Sequence, residues 1–269
     1  MSDEHDQLTD RYRLAVRIAK EAGELTLRHF RSADLQVERK EDQSPVTAAD
    51  REAETWLRER ISMAFPGDAI LGEEFGETSG DSGFRWILDP IDGTKSFIHG
   101  VPLYTTLIGV EHGDRCDIGV IYAPATDEIV HACRGQGAWT VDRSGERREA
   151  RVSTTKSLAQ GLVLTTEEAS FWNDRPTDAL DVWLTLQRQA RLGRTWGDAY
   201  GYLLVATGRA EAMLDPALNV WDAAALQPVL EEAGGTFTDW NGTPTIHAGE
   251  ALGTNGLVLE EVLAVTRGG

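Results

Sequence analysis

The ten residues Arg85-Trp86-Ile87-Leu88-Asp89-Pro90-Ile91-Asp92-Gly93-Thr94 limit the fold of this chain more tightly than any other stretch. The short apolar run bounded by turn-forming residues reads as a buried strand. It ends on two carboxylates three residues apart, with proline and glycine enforcing a turn between and after them. Asp89 and Asp92 can face one point across the Pro-Ile turn. Gly93 lets the backbone approach closely, and Thr94 begins a helix and offers a hydroxyl. The fold has to place a pair of acids where a strand runs out, at the start of a helix.

The remaining segments are arranged around that strand. Residues 8–31 read as a helix with Leu14, Ile18, Ala22 and Leu25 on one face. A polar stretch with one short alternating segment follows. Thr47 then reads as the N-cap of a second helix, buried along Ala53, Leu57, Ile61 and Ala64. "AILGEEFG" is a short apolar run into Glu73, Glu74 and a glycine. After the turn, "TKSFIHG" reads as a short helix, and "LYTTLIGVEHG", "DIGVIYAPA", "EIVHACRG" and "GAWTVD" as strands of a meander.

Near residue 150 the pattern changes. "RVSTT" and "GLVLTT" read as strands, "TDALDVWLTLQRQAR" and "RTWGDAYGYLLVATGRA" as helices, and "EAMLDP" as a strand ending in an acid. "VWDAAALQPVLEEAGG" reads as one helix opened by Asp222 and closed by Gly234-Gly235. "GTFTDW" and "EALGTNG" close the chain as short strands. The expectation is two closely packed mixed α/β lobes, residues 1–150 and 151–269.

Composition narrows the function. The chain has 269 residues and a net charge of −18, which repels nucleic-acid phosphates and suits divalent metals or a cationic small molecule. Such charge also serves solubility alone. Cys116 and Cys133 form neither a disulfide framework nor a zinc pattern and fit a reducing cytoplasm. No apolar run is long enough for a membrane span, and "MSDEHDQLTD" lacks the apolar core of a secretion signal.

Hydrolysis of a phosphate monoester needs charge neutralisation and an activated water. Magnesium takes hard oxygen ligands, and a helix N-terminus supplies N–H groups for phosphate. The Asp89–Thr94 stretch offers both. Further acids stand at Asp50, Glu73-Glu74 and Asp222. Each also has a local reading. Thr47 and Asp50 fit a capping pattern, Asp222 and Asp92 serve as N-caps, and Glu73 and Glu74 as solvated loop charges. Spacing alone does not bring these acids together. No GxxxxGK[ST] loop is present for nucleoside triphosphates.

Taken together, "VTAAD" (46–50), "GEE" (72–74), "WILDPIDGT" (86–94) and "VWDAAALQPVLEEAGG" (220–235) resemble the inositol monophosphatase-like family of metal-dependent phosphatases, in the family's order and across nearly the whole chain. The resemblance implies a layered αβαβα sandwich of the inositol monophosphatase/fructose-bisphosphatase type. It implies two or three magnesium ions held by Glu73, Asp89, the Ile91 carbonyl, Asp92 and Asp222. Asp50 and Thr94 would polarise the attacking water, with Glu73 helping through its metal, and the Gly93 and Thr94 N–H groups would hold the phosphate. A cytoplasmic homodimer acting on a small phosphate ester, with no nucleic acid or membrane partner, completes the expectation.

The acid at Asp198 sharpens it. In inositol-specific members that position usually carries a small or hydroxyl residue, and an acid followed by aromatics resembles the histidinol-phosphate phosphatase branch. "GEEFG" and "DGTKSF" resemble it more weakly. Histidinol phosphate carries an ammonium and an imidazole, which Asp198 and Asp215 would pair with. The competing local reading makes Asp198 a helix N-cap. An inositol- or sugar-phosphate phosphatase of the same fold, and a non-catalytic regulator that kept the fold, stand as alternatives.

Overall fold

The computed structural model describes residues 2–33, 35–39, 45–113, 115–174 and 179–268, with no side-chain detail at 2–6, 39 and 45. Helix α1 (Ser2–Leu27) is followed by the paired strands β1 (Val37–Arg39) and β2 (Pro45–Thr47), and by α2 (Ala48–Ala64). Thr47 caps α2 through a capping box with Asp50. The stripes of α1 and α2 lie on one face of an eight-stranded sheet, around Trp86, Leu88, Val110 and Val120.

That sheet contains β3 (Ala69–Gly72), β4 (Gly76–Thr78), β5 (Phe84–Asp92) and, after helix α3 (Thr94–Ile98), the strands β6 (Thr105–His112), β7 (Arg115–Ala123), β8 (Glu128–Cys133), β9 (Ala138–Val141) and β10 (Arg147–Glu149). From β5 onward each strand pairs antiparallel with the next, the meander that the turn spacing predicts. β5 pairs parallel with β3 on its other side, so Gly72 lies beside Leu88.

A second, five-stranded sheet follows. It is built from β11 (Leu162–Leu164), β12 (Leu192–Arg194), β13 (Ala212–Asp215), β14 (Thr236–Thr238) and β15 (Ala251–Thr254) in the order β12-β11-β13-β15-β14. The helices between its strands are α4 (Ser170–Asn173), α5 (Leu180–Gln189), α6 (Ala199–Ala206), α7 (Val220–Ala223) and α8 (Leu226–Glu232), with α9 (Leu259–Thr266) last. The largest core, around Ile121, Leu203, Val229 and Phe237, fills the space between the sheets and encloses α6 and α8. Another, around Trp183, Leu214 and Val262, puts α5 and α9 on the far face of the second sheet. The layers run helix, sheet, helix, sheet, helix, the αβαβα sandwich expected from the sequence.

Several elements depart from the sequence reading. Residues 151–157 form no strand. The Val152 amide bonds to the Ala233 carbonyl at 3.1 Å, and the Asn255 amide bonds to the Ser153 and Thr155 carbonyls at 3.4 and 2.8 Å, so this backbone is satisfied without a ladder. α1 begins and ends earlier than residues 8–31, and α6 covers only the middle of its predicted segment, Arg194 belonging to β12. The segment after Val220 is two helices, opened by Asn219 with Asp222 as the third residue of a capping box. Ala224 and Ala225, where it breaks, press on Gly109 and Gly119; a Cβ there would come within 2.6 and 2.1 Å of them. Helix α9 has no counterpart in the sequence reading.

The first sheet is tied to α1 by one buried ion pair. Arg11 donates Nε and Nη2 to the two Asp68 carboxylate oxygens, both at 2.7 Å. Its guanidinium lies 4.3 and 3.7 Å from the centroids of the Phe65 and Phe84 rings. Trp86 Nε1 and Ser82 Oγ also donate to Asp68. Breaking a buried pair strands the remaining charge, so Arg11→Met should lose about 3–5 kcal/mol of stability by denaturant unfolding.

Candidate active site

β5 is buried along almost its whole length, and its last residues carry the site. Pro90 cannot donate to a ladder, and the β5–β6 register shifts between Asp89 and Asp92. Side chains hold the freed backbone. Asp89 Oδ1 accepts the Ile91 N–H at 3.0 Å, and Thr106 Oγ1 donates to the Pro90 carbonyl at 2.9 Å. Asp92 Oδ2 accepts from Thr105 Oγ1 at 2.7 Å and from the Ala199 N–H at 2.8 Å, so α6 of the second half is anchored on this acid. Thr94 Oγ1 donates to the Ile91 carbonyl at 3.2 Å. Gly93 has φ +83°, and a Cβ on it would stand 2.6 Å from Asp198 Oδ2, so the position requires glycine twice over.

Carboxylate oxygens of Asp89, Asp92 and Asp222 all lie within 4.8 Å of one another. Asp222 reaches them from α7, with its Oδ2 accepting the Asn219 N–H at 2.6 Å. Glu73 follows β3, and its charge acts on Asp89, Asp50 and Asp222. Among the described residues no lysine or arginine pairs with Asp89, Asp92 or Asp222. Burial raises the Asp89 carboxyl well above the usual range, and Glu73, Asp92 and Asp222 raise it further. Asp92 is raised by burial, then by Asp198 and Asp222. Asp222 is pushed up to about 7, by burial first and then by Glu73 and Asp198.

Asp50 sits beside this cluster. Its Oδ2 accepts both the Thr47 N–H, at 2.8 Å, and the Thr47 hydroxyl, at 2.6 Å. Its Oδ1 is buried and finds no hydrogen-bond partner among the described residues. Burial pushes its carboxyl up to about 6 against the pull of Thr47. The capping role read from the sequence is real and uses one oxygen.

Beyond the cluster is a small space lined by Asp92, Asp198, Asp215, Asp222, Thr166 and Tyr202 among others. Asp198 stands at the N-cap position of α6 but makes no capping hydrogen bond, so the local reading fails there. Its carboxyl is raised by burial, with Lys95 acting the other way. Asp215 accepts the Thr166 N–H at 3.1 Å and is pushed up to about 6, by burial and by Asp198. The Tyr202 hydroxyl is buried beside the Asp215 carboxylate, without a hydrogen bond of ordinary geometry among the described residues. Lys95 Nζ lies 2.6 Å from Glu167 Oε2 at the surface.

Asp89, Asp92 and Asp222 therefore converge, with Glu73, Asp50 and Thr94 beside the cluster and Asp198 and Asp215 in the adjoining space. The sequence reading missed Thr105, Thr106, Thr166 and Tyr202. Tyr202 stands four residues after Asp198, the spacing of one helical face, and was legible; the threonines depend on strand register.

An all-oxygen set of mutually repelling acids, three of them (Asp89, Asp92 and Asp222) with no lysine or arginine partner among the described residues, fits a hard divalent cation. The unbonded Asp50 oxygen fits a water molecule beside it.

The fold and site define a mixed α/β protein with an acidic, all-oxygen centre between its sheets. A model of the inositol monophosphatase family matches residues 7–267, and the chain belongs to that family. The chain is 43% identical over 245 residues to the histidinol-phosphatase of Chlorobaculum parvum, covering 91% of this chain and 92% of that one. It is 35% identical over 239 residues to the Nus factor SuhB of Pseudomonas aeruginosa, covering 86% and 85%. The Thermotoga maritima IMPase structure superposes with a TM-score of 0.84 at 29% identity, covering 96% and 97%.

The raised carboxyls have a thermal consequence. Unfolded, these acids titrate near their ordinary value of 3.8; folded and metal-free, Asp50 and Asp222 do so near 6 and 7. The folded state holds the extra protons, so the metal-free protein loses stability as pH rises through 4 to 7. Magnesium takes the protons' place, so the gain in Tm on adding it should be small at pH 5 and larger at pH 8, by differential scanning fluorimetry. A gain independent of pH would contradict the clustering of these acids.

Proposed function

We propose that the protein hydrolyses L-histidinol phosphate to L-histidinol and phosphate in a magnesium-dependent reaction, the step that would serve histidine synthesis. The observation that carries the reading is the pair Asp198 and Asp215 in the space beside the acidic centre. Asp215 is buried and Asp198 partly buried, and Asp198 raises the carboxyl of Asp215. A substrate cation relieves that cost; a polyol leaves it standing. The likeness to the Chlorobaculum parvum histidinol-phosphatase supports the same substrate.

In this reading Glu73, Asp89, the Ile91 carbonyl, Asp92 and Asp222 hold two or three magnesium ions. When bound, these neutralise phosphoryl charge and make water more acidic. The Gly93 and Thr94 N–H groups receive the phosphate at the first turn of α3. Asp50, its Oδ2 held by Thr47, takes the proton of the attacking water at Oδ1, and Thr94 Oγ1 turns from the Ile91 carbonyl toward that water. Asp198 and Asp215 pair with the ammonium and imidazole. We extend the proposal to two lobes, 1–150 and 151–269, and to a homodimer in the cytoplasm. The division is supported by a first sheet ending at Glu149 and a second beginning at Leu162.

The test is phosphate release, with magnesium, from L-histidinol phosphate and inositol 1-phosphate side by side. A large kcat/KM preference for histidinol phosphate is expected. Equal rates or the reverse preference overturn the substrate assignment. No release from either ester by folded protein would favour a binding role, as the likeness to a Nus factor suggests.

Two variants separate the roles. Asp198→Thr should cost histidinol phosphate about 2 kcal/mol or more in kcat/KM, a factor of about 30, and inositol 1-phosphate far less. Asp50→Asn keeps an acceptor for the Thr47 N–H. It should lower kcat by about 100-fold or more while the magnesium-dependent rise in Tm persists. Loss of that rise would assign Asp50 to metal binding.

A further inference from the structure

Glu54 is a carboxylate that the proposed chemistry leaves unused. It lies on α2 one turn after Asp50, with Arg58 one turn further along the same face. It is fully buried. Its Oε2 accepts the Glu74 N–H at 2.8 Å, and its Oε1 accepts the Phe75 N–H at 3.3 Å and Arg58 Nε at 2.8 Å. Arg58 continues to Thr78 Oγ1, at 3.1 Å, and to the Gly76 carbonyl. Two successive backbone N–H groups aimed at one carboxylate make an anion nest, here filled by the chain's own side chain.

The nest belongs to the turn that carries Glu73. The Glu73 N–H bonds to the Leu88 carbonyl at 3.2 Å, and the next two N–H groups bond to Glu54. A Cβ on Gly72 would fall 2.0 Å from Glu54 Oε1, so the turn closes directly over the carboxylate. One helix face thus fixes Asp50 by its cap and Glu73 by this clamp.

We propose that Glu54 is a positioning residue: it holds the Glu73 carboxylate where magnesium binds and thereby sets the affinity of the site for the ion without touching it. The proposal rests on the magnesium-site reading above. It goes beyond that reading by assigning ion affinity to a residue outside the cluster. A glutamine at 54 offers one acceptor oxygen to three donors, and its NH₂ opposes one of them.

The test measures Tm against magnesium concentration, together with the steady-state kinetics. A wild type whose Tm ignores magnesium would sink the metal-site reading itself, whatever the variants do. With a responsive wild type, Glu54→Gln should raise half-saturating magnesium by about tenfold or more, with KM for the ester nearly unchanged. Glu54→Gln with Arg58→Met removes the buried charge pair as a unit. It should recover metal-free Tm while half-saturation stays raised. Wild-type half-saturation in either folded variant overturns the proposal, because a merely structural residue would affect Tm alone. If neither variant folds, amide exchange in the wild type decides. The Glu74 and Phe75 amides should slow further on adding magnesium, and unchanged exchange overturns the proposal.

Discussion

Taking several carboxylates out of water at the end of one strand is the constraint to which the rest of the fold is fitted. An isolated buried carboxylate is costly, and like charges side by side add to the cost. Hydrogen bonds offset part of it: Ile91 N–H to Asp89, Thr105 and Ala199 N–H to Asp92, Thr47 to Asp50, and Asn219 N–H to Asp222. These donors come from β5 itself, its strand neighbour β6, two helix starts and the first turn of α6, elements far apart in sequence. The repulsion left over is of the kind that a divalent cation removes. Stability in the metal-free state is given up where function needs the acids dense.

Packing sets the distances. α7 brings Asp222 to β5 only because Ala224 and Ala225 can lie on Gly109 and Gly119 of the central strands. α6 brings Asp198 onto Gly93 by the same absence of a side chain. Both approaches bring elements of the second half onto the first sheet, so the site is completed by the contact between the halves. The large core between the sheets holds that contact rigid.

The strand, its turn and the α2 cap were legible because their signals are local: an apolar run, Pro and Gly, and a Thr with Asp three residues on. Convergence was not legible, because it depends on parallel pairing of β3 with β5 and on where α7 lands. The acids are also coded twice. Asp50 and Asp222 each occupy the third position of a capping box, and each spends one oxygen there. A sequence pattern cannot separate the cap from the chemistry when one side chain does both. Asp198 is the reverse case, a residue at an N-cap position with no capping bond. The missed helix α9 and the missing strand at 151–157 show the limit of short windows. Their backbone partners, Ala233 and the Asn255 side chain for the latter, lie about eighty to a hundred residues away.

The same electrostatics joins the two ends of the site. Asp198 raises the carboxyls of Asp92, Asp215 and Asp222, so a positive charge beside Asp198 weakens the repulsion felt within the proposed metal cluster. Considered alone, cations at the two places would therefore compete, each removing repulsion the other would have relieved. A phosphate between them reverses the sign, since an anion draws on both. A substrate that carries a phosphate and, a few atoms away, a positive group matches the field of this cavity at both ends. In the proposed reading, a phosphate on an uncharged ring matches one end and leaves the effect of Asp198 on Asp215 unrelieved. Discrimination in such a site comes from the acids' own mutual cost, relieved by one class of ester and left in place by the other.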